Sequence, residues 1–79
     1  MRYYFHLKDG ETTLDDEGME LSNLDGVKNE ALQTSHNLLK GVYGEKFWTG
    51  ELWLLWVTDQ PNGGGNTVLS LTFSSSLSG

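Results

Sequence analysis

Only one stretch of this 79-residue chain repeats its apolar residues at the helical period, and strand-like runs flank it on both sides. At 100° per residue Leu24, Val27, Ala31, Ser35, Leu38 and Val42 fall on a single stripe, with Leu32 and Leu39 on its shoulder. Asn29, Glu30, Gln33, His36, Asn37 and Lys40 fall on the opposite side. Ser22 or Asn23 can cap the start by accepting from the free N–H groups of the first turn, and Gly41 and Gly44 mark the end. One amphipathic helix cannot bury its own apolar stripe. The rest of the chain must therefore supply a second layer.

The flanks read as a sheet. Arg2-Tyr3-Tyr4-Phe5-His6-Leu7 is bulky and aromatic, which suits a pleated, half-buried surface, and Asp9-Gly10 follows it as a hairpin turn into Thr12-Thr13-Leu14. Asp15-Asp16-Glu17-Gly18 makes a second turn, and Met19-Glu20-Leu21 alternates as a brief strand would. After the helix, a connector holding Phe47 and Trp48 leads to two strands, Glu51 to Thr58 and Thr67 to Phe73, joined by a loop rich in Gly, Pro and Asn. The expected fold is α+β: an antiparallel sheet of four short strands, five if Met19-Glu20-Leu21 pairs, with one helix on one face in the order ββ(β)αββ. Residues 1–73 form one domain, and 74–79 read as a disordered tail.

A single helix covers only one face of a sheet. Along Glu51 to Thr58, Trp53, Leu55 and Val57 point one way and Leu52, Leu54 and Trp56 the other, so both sides of this strand are apolar. If the first set faces the helix, Leu54 and Trp56 lie on the second face. Tyr4 and His6 join them when Phe5 and Leu7 point inward, and Val68 joins them from the last strand, beside Ser70 and Thr72. Tyr4, His6, Leu54, Trp56 and Val68 are thus the candidate partner-binding residues, an apolar patch that another chain would cover.

Charge narrows the kind of partner. Eleven Asp and Glu against five Lys and Arg give a formal charge of −6, which disfavours nucleic acid, since its binders neutralise phosphates with Lys and Arg. There is no Cys, so disulfides and thiolate-held metals are excluded. The longest apolar run, Leu52 to Val57, is far shorter than the ~20 residues of a membrane helix. These features lead us to expect a cytoplasmic protein that does not engage membranes.

The candidate chemical motifs are weak. Asp15-Asp16-Glu17, with Asp9 and Glu11 nearby, lacks the alternating spacing of a calcium loop and reads as a solvated turn. His6 and His36 have no nucleophile or acid forced beside them and read as surface residues, and Gly63-Gly64-Gly65 lacks the Lys and the helix of a phosphate loop. We therefore expect no catalytic residues, no metal and no cofactor.

Several segments nevertheless occur in a familiar order: Arg2-Tyr3-Tyr4-Phe5 with Asp9-Gly10, Asp16-Glu17-Gly18-Met19-Glu20-Leu21, Glu30-Ala31, Val57-Thr58-Asp59 and Leu69-Ser70-Leu71-Thr72-Phe73. Together they resemble the short bacterial proteins grouped as domain of unknown function 6894. That resemblance spans Arg2 to Phe73 and implies no activity and no catalytic residues. The apolar Leu52 to Trp56 run and the Gly-rich loop depart from the family pattern. A fainter likeness, carried by Ser22-Asn23-Leu24-Asp25-Gly26, is to HicB-type antitoxins, which would imply an acidic chain covering a basic partner. The expected function is a small acidic interaction module that binds another protein, with a second copy of itself as one such partner. Alternatives are an antitoxin-like regulator and a carbohydrate binder using surface Trp and Tyr.

Overall fold

The computed structural model describes residues 1–41 and 47–78. Within them the chain folds into one α-helix on a five-stranded antiparallel sheet. The strands are β1 (Arg2–Lys8), β2 (Thr12–Thr13), β3 (Met19–Glu20), β4 (Trp53–Thr58) and β5 (Thr67–Phe73); the helix α1 spans Leu24–Lys40. The sheet order is β2-β1-β4-β5, and β3 also pairs with β1. Both the ββ(β)αββ order and the fifth strand are as the sequence predicts.

Local chemistry sets the ends of α1. Asn23 is extended and its side-chain oxygen accepts from Gly26 N at 2.9 Å, so of the two candidate caps it is Asn23 that closes the first turn. At the other end, Gly41 N donates to Asn37 O. Val42 and Gly44, the remaining residues assigned to the helix and its end, lie outside the described residues. Val27, Ala31 and Ser35 are buried as the stripe predicts, whereas Leu24 at its start is 48% exposed. The sheet lies beneath the stripe from Val27 onward, and Leu24, three residues earlier, falls beyond it.

Register decides which strand residues share a face. Phe5 is opposite Val57 and Leu7 opposite Leu55 across β1 and β4; Val57 is opposite Leu69, Leu55 opposite Leu71 and Trp53 opposite Phe73 across β4 and β5. All of these except Trp53 pack into one cluster with Val27 and Ala31, and Leu55 and Val57 are fully buried in it. Trp53 is buried at the end of this layer against Phe47, ring centroids 4.7 Å apart, in a 3-10 turn spanning Phe47–Thr49. The connector thus extends the helix-side core, and Trp48 stays exposed. Residues 74–78 carry no regular element, although the Ser75 hydroxyl donates to the Phe47 carbonyl.

Candidate interaction face and a buried histidine

The second face of the sheet is lined by Tyr4, His6 and Lys8 of β1, by Leu54, Trp56 and Thr58 of β4, and by Ser70 and Thr72 of β5, as the pairings His6 with Trp56 and Trp56 with Ser70 require. Val68 is a correction. The ladder between β4 and β5 shifts register at Val57 and Thr58, Thr58 pairing with Thr67 directly after Val57 pairs with Leu69. The extra residue on β5 is Val68, and it packs against the helix-side core. A bulge carries no strong sequence signal here, so strict alternation assigned Val68 to the wrong side.

His6 is the larger departure. Expected at the surface, it is 0% exposed. Two loops of its own chain cover it. β2 pairs with the C-terminal end of β1 and β3 with the N-terminal end, which leaves Tyr4, Phe5 and His6 without a partner in either. The chain between β2 and β3 fills that gap with Asp15. Its Oδ2 accepts from Phe5 N at 3.0 Å, standing in for a missing strand, and its own N–H donates to His6 Nδ1 at 3.0 Å. Asp15 Oδ1 accepts from Glu17 N and Gly18 N, folding 15–18 into an Asx turn. Asp15 O in turn accepts from Asn62 N at 2.9 Å, which ties on the loop carrying the 3-10 turn Pro61–Gly63. All four polar atoms of Asp15 are engaged. The residue read as part of a solvated acidic turn is the keystone of this cover.

The geometry fixes the state of the imidazole. Thr58 Oγ1 donates its one proton to Gln60 O at 2.7 Å, so at the 2.8 Å contact with His6 Nε2 the hydroxyl is the acceptor and Nε2–H the donor. Nδ1 accepts from Asp15 N and carries no proton. His6 is therefore neutral, in the Nε2–H form. Burial lowers its pKa below the ordinary 6.5, with only a partial opposing pull from the Asp15 charge. At the Asp15 carboxyl, desolvation acts upward, but the N–H groups of Gly18, Phe5 and Glu17, together with the charge of a protonated His6, outweigh it and hold the pKa below 3.8.

Glycine makes the close approach possible at two points. Gly18 has φ +72°, and a Cβ there would lie 2.7 Å from Tyr4 Cε2, so Tyr4 is packed beneath this turn. Gly65 has φ +71°, and a Cβ would collide with Asp59 Oδ1, the oxygen that accepts from Asn66 N at 2.8 Å to close the second loop.

What stays open is the rest of the face. Trp56 stacks at a tilt on His6, ring centroids 5.1 Å apart, with Gly63 near its indole nitrogen; it is half-buried, as are Tyr4 and Leu54. Leu52, just before β4, is 57% exposed. Of the five predicted residues, the structure thus brings Tyr4, His6, Leu54 and Trp56 onto one face and removes Val68. Asp15 and Thr58 are the functional neighbours that sequence reasoning missed. The spacing of Asp15 and Gly18 is an Asx-turn signal, but its contact with His6 depends on the topology. Among the described residues no three acidic or histidine side chains converge as a metal site, and no helix is long and apolar enough to cross a membrane.

Fold and face together define a single-helix α+β domain with one face closed by the helix and the other partly closed by loops. The chain belongs to the family described as domain of unknown function (DUF6894), whose model matches residues 2–74. No curated protein and no solved structure matches it.

Proposed function

We propose that this domain is a non-catalytic protein-binding module whose contact surface is the open part of the second face, Leu52, Leu54 and the outer edge of Trp56. The observation that carries the reading is that, among the described residues, Leu54 and Trp56 stay half-exposed on a face covered by two short loops, with Leu52 57% exposed at its border. Trp is among the residues enriched in interface hot spots, and the leucines beside it add apolar area that a partner would remove from water. The formal charge of −6 favours a basic partner. Asp16 and Glu17 are exposed and can steer it, whereas Asp15 is spent inside the domain.

The test is co-purification from the native host with the unaltered chain and with Leu54→Ser, each checked for native amide protection of β1 and β4. The expected result is a basic protein held by the unaltered chain and lost from Leu54→Ser, a drop of at least ~10-fold in affinity, as for a hot-spot truncation. Undiminished binding by a folded Leu54→Ser protein would refute the assignment of this surface.

A further inference from the structure

Among the described residues the sheet has one long edge strand that no other strand pairs on its outer side. β2, at one end of the order, has two residues, but β5 at the other has seven, and among the described residues its one strand neighbour is β4. Alternate N–H and C=O groups of such a strand point outward and seek a partner. Natural edges are usually blunted by charge, Pro or a covering segment, yet Thr67-Val68-Leu69-Ser70-Leu71-Thr72-Phe73 contains no charged residue and no Pro. The helix-side layer is also incomplete here. Leu69, Leu71 and Phe73 are only half-buried, and a groove of about 300 Å³ runs between α1 and β5, lined by Lys28, Ala31, Leu32, Leu69, Ser70 and Leu71. Leu32 stands at this groove 61% exposed.

We propose that β5 pairs with β5 of a second copy, antiparallel about Ser70, to make one continuous ten-stranded sheet. The strand is its own complement in that register. Leu71 lies opposite the second copy's Leu69, and Leu69 opposite its Leu71, so the helix-side leucines of the two chains meet as cross-strand pairs on either side of Ser70 and short of the bulge at Val68. Antiparallel edge pairing about a two-fold axis perpendicular to the sheet keeps both helices on the same side. The two grooves, each with its Leu32, then flank the seam. What selects a second copy as occupant is the self-complementary register, and local charge permits it: each chain carries −6, yet β5 is uncharged and the groove's one charged lining residue is Lys28, so two acidic chains can join here without opposing carboxylates. This contact is separate from the Leu54 and Trp56 surface, and it would place two copies of that surface on one side of the joined sheet.

The experiment is sedimentation of the unaltered chain, of Ser70→Lys, of Ser70→Glu, and of the two variants mixed. Ser70 is exposed and meets itself at the two-fold axis, so either variant alone sets like charges directly opposite. The unaltered chain is expected at twice the 8.8 kDa of one copy, each variant alone at one copy, and the equimolar mixture back at two. In a second measurement Ser70→Cys, the sole cysteine in the chain, forms a disulfide between copies under mild oxidation. A single-copy mass for the unaltered chain up to ~1 mM, the weak end of measurable association, overturns the proposal. A dimer that survives Ser70→Lys, or a Ser70→Cys chain that fails to cross-link, overturns it equally.

Discussion

The two faces of this sheet are closed by different physics. On the helix side, Leu55 and Val57 lie under Val27 and Ala31, and what holds them is apolar area removed from water. On the second side, His6 and Thr58 lie under two loops, and what holds those is a chain of hydrogen bonds running from Gln60 through Thr58, His6 and Asp15 to Asn62. The first kind of closure is nearly indifferent to pH and fails only with the whole domain. The second depends on one neutral imidazole and one ionised carboxylate, so it can open by itself.

The widest separation between the two faces should come from Leu55→Ala. Truncating a fully buried core leucine costs ~2–5 kcal/mol, comparable to what a domain this small has in total. Denaturant titration should show a largely unfolded population, with protection lost on both faces at once. Asp15→Ala should cost less, ~1–3 kcal/mol, because it strands the Phe5 N–H and removes the Asx turn. Hydrogen exchange should quicken at Phe5, Glu17 and Gly18 while the α1 amides stay protected. Equal loss on both faces in that variant would show that the two closures are one.

Mild acid, above the carboxylate range, should act on the second face first. The unfolded chain protonates His6 near pH 6.5 and the folded chain only below that, so the unfolded state holds more protons in this interval and stability falls as the pH drops through it. Asp15, with its pKa held below 3.8, contributes stability above that value and loses it at more acid pH. Amide exchange from pH 8 to pH 5 should therefore accelerate, relative to its intrinsic rate, at Asp15 before it does so at Leu55. The smallest effect belongs to Asn23→Ala, a cap loss of ~1 kcal/mol that should lower the midpoint without changing which face opens first.

The helix-side face was legible in the sequence because period alone specifies it. The stripe Val27, Ala31, Ser35 and the alternation Trp53, Leu55, Val57 need no knowledge of which strands are neighbours. Leu24 fails that reading because periodicity tells which side a residue faces and says nothing of how far the sheet extends beneath it. The second face was legible only as a list of side chains pointing away from the helix. That Asp15 covers His6 depends on β2 and β3 taking opposite ends of β1, a tertiary fact that no local pattern holds. The Gly-rich loop, read as a plain hairpin connection, gains its role through Asn62, which reaches the same keystone carbonyl.

The most direct measurement is the ¹⁵N and ¹H signature of the His6 ring across pH. The account requires a neutral Nε2–H imidazole at pH 7, titrating below 6.5, with the Asp15 amide proton shifted and protected by its bond to Nδ1. A His6 ring that titrates at or above 6.5, or that carries its proton on Nδ1, would mean that the loops do not seal this face and that the contrast between the two sides is wrong.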